Sequence, residues 1–285
     1  MSTYNVSNMA GFIEAWSRVT GEDVIEVLAD LDFNDVYDTV TSQVKMNNGT
    51  AVADVTINGN NHAIYNLAND RVSSLGAGRI IFTMNTSNTD IKINNLSFLN
   101  CNMGAYSGSI MWISPGTTIY NSVIQGRFNN TCFYGTGIVK DSMLTFDHCA
   151  KRTLSASAAN SSPNWIGCWI KFNNCTFTED SSYYANNLST CYLEGQIGVT
   201  SSSGNPKMFN NVKDSCINIK GFFDSPTITN FCKYSTGSPS IVNCTNLTSI
   251  NPLTEADSTE YVKIVTDEHM KDAEYLAEIG FNIIP

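Results

Sequence analysis

Charge is scarce in this chain: Asp, Glu, Lys and Arg together make up 15% of its 285 residues. Helical proteins usually carry more Glu, Lys, Arg and Ala, so a mainly helical fold is not expected. Basic residues are the scarcer sign, 16 against 26 acids, and the formal net charge is −10. A surface of that sign repels phosphate backbones and anionic lipids, so neither nucleic acid nor a membrane surface is an expected partner. No apolar run approaches the roughly 20 residues of a membrane span. The opening MSTYNVSNMAGFIEAW lacks the basic start and apolar run of a signal peptide. There are only three histidines and no Cys-x-x-Cys pair, and none of the nine cysteines lies in the first third. Zinc sites cluster their ligands at short spacing, and these residues are spread out, so no metal or other cofactor is expected. Several cysteines, in SFLNC (97–101), TFDHC (145–149) and FNNC (172–175), stand where a small inward apolar residue belongs. They read as free, buried thiols of a chain that folds in a reducing compartment.

What the chain holds instead is asparagine, 34 residues, with abundant Ser, Thr and Gly. Asn tolerates the left-handed backbone region and bonds its own neighbours, so this composition points to strands joined by tight turns. From about residue 50 one form recurs: an alternating strand, a polar pivot, then a second short strand. Examples are TDIKINNLSFLNC (89–101), GTTIYNSVIQG (116–126) and CWIKFNNCTFTED (168–180). The pivots fall near Asn94, Asn121, Asp141, Asn173, Asn210, Asn230 and Asn243, a repeat in form without a strict period. That pattern predicts an all-β fold, a right-handed parallel β-helix, whose turns can swell into loops of any size. At each pivot one residue is expected to take a strained backbone conformation, and stacked Asn side chains to bond along the solenoid axis.

Three segments are expected to leave the stack: 102–116, 150–167 and 179–206, although CYLEGQIGV (191–199) within the last could itself be a strand pair. The ends are expected to differ from the middle. Residues 1–50 read as an N-terminal cap, with an amphipathic helix over 7–20 capped by Ser7 and a first strand over 23–33. Residues 51–250 read as the β-helix. Residues 251–285 read as a polar linker, a strand at 261–265 and a helix over 266–280 capped by Thr266 or Asp267.

The cap GFIEAWSRVTGEDVIEVLADLDF with TINGNNHAI (56–64) and IKINNLSFLNC (91–101) resembles the pectin-lyase-like β-helix superfamily over residues 9–250. The tail VKIVTDEHMKDAEYLAEIGFNI (262–283) resembles endings of virion-borne β-helix proteins of bacteriophages. Many superfamily members act on polysaccharides, so the resemblance calls for their catalytic motifs. Of the polygalacturonase pattern, Asn88-Thr89-Asp90 is present, but no Asp-Asp, Gly-His-Gly or Arg-Ile-Lys follows; the triplet reads as a rung corner. Among the acids near the rungs, Asp141 with Asp147, or Glu179 with Asp180, could form the carboxyl pair of glycoside hydrolysis, although solvation is the expectation for each. Asp147-His148-Cys149 reads as a rung end, with His148 outward and Cys149 inward, rather than an activated thiol.

Aromatic residues crowd the middle third. Trp112 and Trp169 lie in strand-like runs and read as packing, whereas Tyr106, Trp165, Tyr183 and Tyr184 are the candidates for exposed stacking on sugar rings. Taken with the resemblance, these features predict a non-enzymatic phage virion protein of head-fibre, decoration or tail-spike type that contributes to attachment on host-surface polysaccharide. Its expected partners are further copies of itself, as a homotrimer, and other virion proteins assembled in the bacterial cytoplasm. A polysaccharide lyase or glycoside hydrolase on the same scaffold, and a purely structural virion component, are the competing expectations.

Overall fold

A computed structural model of the chain describes residues 1–72, 80–104, 108–128, 131–149, 163–177, 185–199, 209–222, 232–234, 240–243, 247–248 and 253–281. The strands fall into three sheets of ten, eleven and four strands, and every pairing in them is parallel. One turn of chain shows how they connect. Ile91–Asn94 lies in the ten-stranded sheet, Ser97–Met103 in the eleven-stranded sheet and Ser109–Ile113 in the four-stranded sheet. Thr117–Tyr120 then returns to the ten-stranded sheet and lays Thr117 beside Ile91. The chain is therefore an all-β parallel β-helix, with successive rungs about 4.8 Å apart.

Alternation along each short strand sends every second side chain inward, and the parallel register stacks like positions into columns. Ile57, Ile93, Ile119, Val139, Trp165 and Leu188 form one such column, all buried. Phe98, Ile124, Leu144, Ile170, Leu193 and Ile217 form the column of the facing eleven-stranded sheet. Phe82, Met111 and Phe133 close the third side. One continuous core thus runs the length of the solenoid.

The corner between the ten- and eleven-stranded sheets explains much of the composition. Six successive rungs place one residue there at positive φ: Asn95 at 51°, Asn121 at 52°, Asp141 at 49°, Gly167 at 62°, Thr190 at 53° and Asp214 at 48°. Asn, Asp and Gly reach this region at least cost. The next residue points inward and is small or apolar: Leu96, Ser122, Ser142, Cys168, Cys191 and Ser215, all buried. The hydroxyls serve the backbone of the rung before. Ser142 Oγ accepts from the Ser122 N–H at 3.1 Å, and Ser215 Oγ from the Cys191 N–H at 3.1 Å. Buried amides at the corner are thereby satisfied.

The expected pivots hold at Asn121 and Asp141 and slip by one residue at two others. Asn95 and Asn174, rather than Asn94 and Asn173, have positive φ. Asn94 does the stacking instead: its Nδ2 donates to Asn58 Oδ1 at 3.2 Å, and Asn58 Nδ2 donates to Glu26 Oε1 at 2.7 Å. Two adjacent residues thus divide the turning and the bonding at that corner. Asn210 lies inside the strand Phe209–Lys213, so the turn falls on Asp214. Asn243 ends the strand Ser240–Asn243, and Asn230 lies outside the described residues.

Thr190 departs from the corner pattern, because a β-branched residue at positive φ crowds its own backbone. Its Oγ1 accepts from the Gly167 N–H at 3.0 Å, which partly offsets the strain. Replacing it by the residue type found at sister corners, Thr190→Asn, should stabilise the fold by about 1 kcal/mol. A denaturant midpoint that stays level or falls would show that the hydroxyl bond outweighs the backbone relief.

Both ends differ from the expected boundaries. Strands begin at Thr3–Val6 and Val24–Val27, which already pair in the ten-stranded sheet, so rungs start well before residue 50. Residues 23–33 contain two strands, Val24–Val27 and Leu31–Asp32, with a turn between them. Helix α1, Met9–Arg18, is capped by Asn8, whose side chain accepts from Gly11 N, and not by Ser7. It lays Phe12 and Trp16 against Phe82, with ring centroids 5.7 and 5.3 Å apart, and so covers the open end of the core. At the other end Val262–Val265 is the expected strand and pairs with Ser240–Asn243. The helix expected over 266–280 is shorter: a 3₁₀ turn at His269–Lys271 precedes α2, Ala273–Glu278, which Asp272 caps. Leu276 and Phe281 pack on Cys216, Ile241 and Val265, so α2 covers part of the outer face of the eleven-stranded sheet.

The excursions are also shorter than expected. Segment 102–116 contains the strand Ser109–Ile113, the third side of a rung. The strands Ala185–Ser189 and Tyr192–Val199 occupy much of 179–206, and Asn164–Ile166 closes 150–167.

Candidate functional site

The four-stranded sheet turns one column of side chains outward: Lys45, Thr83, Trp112 and Tyr134, in register on successive rungs. Trp112 has buried Met111 and Ile113 on either side, and Tyr134 has buried Phe133 and Gly135, so strand alternation alone forces both rings toward solvent. Each remains half-buried by its neighbours, which limits rotamer freedom. Together they form an aromatic strip two rungs long. Gln43, Asn85 and Thr86 stand along it, and the whole encloses a groove of about 420 Å³.

The end wall of the groove is tied down. Asn85 Nδ2 donates to the Gly49 carbonyl at 2.8 Å, and its Oδ1 accepts from Ser87 N at 2.9 Å. Asn88 is buried beneath it; its Oδ1 accepts from Val52 N at 2.9 Å and its Nδ2 meets Met46 Sδ at 3.5 Å. Asp90, two residues on, has φ 52°. Asn88-Thr89-Asp90 is therefore a rung corner, as read from the sequence. Its Asp90 carboxyl is held below the usual carboxylate range by the adjacent Lys92 ammonium, 3.0 Å away.

The groove can stack on an apolar ring face and exchange hydrogen bonds at its rim. Lys45 supplies its one cation, and no carboxylate lines it among the described residues. A hydrolytic site needs two carboxyl groups across the scissile bond, and the acids considered for that role lie elsewhere. Asp141 occupies a sheet corner at φ 49°. Asp147 stands at the far end of the following strand and accepts from Asn173 Nδ2 at 2.7 Å. Glu179 and Asp180 lie outside the described residues.

The structure reverses the expected roles of two tryptophans. Trp165, read as an exposed sugar-stacking candidate, is 0% exposed and sits in the inward column between Val139 and Leu188. Trp169, read as packing, is 50% exposed on the outer face of the eleven-stranded sheet. Parity explains both. Uninterrupted alternation would put residues 165 and 169 on one face, but the corner Gly167–Cys168 turns the chain between them. Trp112, also read as packing, lines the groove. Tyr106, Tyr183 and Tyr184 lie outside the described residues. The signal for Trp112 was present in SIMWIS, where it alternates with apolar neighbours, but nothing in the sequence says which side of a strand faces the core.

His148 is outward, at φ 50°, and Cys149 is buried, as expected of a rung end. A bond with the Cys175 thiol and burial push the Cys149 thiol far up, so it is no thiolate nucleophile at neutral pH. Burial likewise pushes up Cys101 and Cys216. The seven cysteines whose side chains are described are free and buried. No family model, curated protein or solved structure matches the chain.

Proposed function

We propose that this β-helix is a non-enzymatic, glycan-binding component of a bacteriophage particle, of head-fibre, decoration or tail-spike type, and that the groove over Trp112 and Tyr134 engages host-surface polysaccharide. The observation that carries the binding reading is the in-register aromatic strip with Thr83, Lys45 and Gln43 beside it. Two rings fixed on neighbouring strands offer flat apolar faces at low entropic cost, and the amide, hydroxyl and amine groups at the rim match sugar hydroxyls. The virion assignment is supported by the resemblance of the tail to virion-borne β-helix proteins. A homotrimer would present three such grooves and gain avidity on a repeating polymer.

Titration of the full chain with oligosaccharides from bacterial capsules and cell walls should give saturable binding. Trp112→Ala should weaken it at least tenfold, since a buried aromatic anchor contributes about 1.4 kcal/mol or more. Binding that survives Trp112→Ala unchanged would remove this groove from the proposal. Release of shorter oligosaccharides during incubation would favour a lyase or hydrolase instead.

A further inference from the structure

The outer face of the eleven-stranded sheet carries a second recess on a different side of the solenoid. Phe172, Asn173, Asn174, Glu194, Gln196 and Asn218 line about 430 Å³ there, around Gly195. Its origin is a β-bulge. The register between Trp169–Phe177 and Tyr192–Val199 shifts after Phe172, so Asn173 and Asn174 take extra length on one rung. Asn174 has φ 50° and Gly195 has φ 112°. Bulges re-aim side chains, and a glycine inside a strand marks a close approach of another backbone or a ligand.

Along the strand, one step before Glu194, stands Tyr192, whose hydroxyl accepts from Asn218 Nδ2 at 3.2 Å. Trp169 meets the Tyr192 ring edge-on at 5.9 Å and remains half-exposed. Helix α2 covers Cys216, Ile241 and Val265 farther along the same face but leaves Trp169 and Met143 in solvent, at 50% and 44% exposure. Two exposed apolar residues fall far short of the roughly 800 Å² per partner of a stable protein interface. Among the described lining residues only Glu194 is a carboxylate, too few for a hard cation. Side-chain amides and a carboxylate are groups that bond sugar hydroxyls.

We infer that this recess is a second sugar subsite, separate from the Trp112 groove, and that it takes a neutral pyranose. Glu194 accepts bonds from neighbouring hydroxyls, the amides of Asn173, Gln196 and Asn218 complete the rim, and Trp169, outside the lining and diagonal to Glu194 across the strand pair, meets a ring that extends past the rim. Lys171, in register with Glu194 on the preceding rung, lies outside the lining, so Glu194 is the one charged group among the described residues that line the recess. Uronic acids meet the Glu194 carboxylate and are disfavoured. The subsite stands on its own residues and does not require the Trp112 groove to bind.

NMR titration of the full chain with methyl glucoside, with the methyl glycoside of N-acetylglucosamine and with glucuronate tests it. At least one neutral probe should bind in the millimolar range, and glucuronate at least fivefold more weakly. Trp169→Ala, on an exposed side chain and checked for folding by circular dichroism, should weaken the neutral signal at least threefold. Glu194→Gln should narrow the gap between neutral and anionic probes. Trp112→Ala should leave the neutral signal in place, which separates this subsite from the proposed groove. Lack of saturable binding by either neutral probe, binding indifferent to Trp169→Ala, or equal binding of glucuronate to the wild-type chain would each overturn the inference.

Discussion

Gly195→Ala is expected to abolish or severely destabilise the folded chain. A Cβ built on Gly195 would lie 2.0 Å from the Phe172 carbonyl oxygen and 2.8 Å from the Phe172 nitrogen, both backbone atoms of the preceding rung. Neither side can retreat, because Tyr192–Val199 is paired on one edge with Trp169–Phe177 and on the other with Cys216–Phe222. The positive φ of 112° is a second cost, since it lies in a region that L side chains rarely adopt. Together these should exceed about 3 kcal/mol, a large part of the stability of an ordinary domain. Urea unfolding followed by circular dichroism reads the loss. Gly21→Ala is the matched control: the nearest atom to its added Cβ is 3.5 Å away, an ordinary contact. A Gly195→Ala midpoint close to that of the control would mean that the rung spacing at the bulge relaxes far more than a close-packed solenoid allows.

The second large effect separates two tryptophans four residues apart. Trp165→Ala should cost about 3–5 kcal/mol, because it empties a fully buried site in the inward column and leaves a cavity between Val139 and Leu188. Trp169→Ala should cost less than about 1 kcal/mol, since it removes a half-exposed ring whose described aromatic contact is Tyr192. The same unfolding measurement on both variants decides it. Equal losses, or a larger loss at Trp169, would contradict the inward and outward assignments.

Those assignments mark where sequence reading stops. The repeated strand–pivot–strand form identified a parallel solenoid because alternation and left-handed turns are local properties, written in spans such as IKINNLSF and TIYNSVIQ. The pivots at Asn121 and Asp141 followed from Asn and Asp tolerance of positive φ. The shift from Asn94 to Asn95 did not, because both residues are Asn and only the register shows which one turns and which one bonds to Asn58. Thr3–Val6 carries no Asn pivot of the later form and precedes a helix, so the sequence does not mark it as a strand, and Val24–Val27, inside the strand expected over 23–33, reads as cap although it already pairs as a rung. The tail helix is shorter than its sequence suggests: TDEHMKDAEYLAEIG has helical spacing throughout, yet Met270 and Leu276 both reach the same sheet face, and a 3₁₀ turn with a fresh cap at Asp272 achieves that.

The candidate site was less legible than the fold. Lys45, Thr83, Trp112 and Tyr134 are spread over ninety residues, separated by unequal stretches of chain, and become neighbours only through rung stacking. The sequence by itself determined the local quantities: strand alternation, left-handed corners, buried thiols and an outer surface low in charge. The tertiary structure alone decided which parity faces the core and which residues from different rungs share a column. The physical reason is that a two-residue corner resets the inside–outside alternation, while the length between corners varies freely without disturbing the stack.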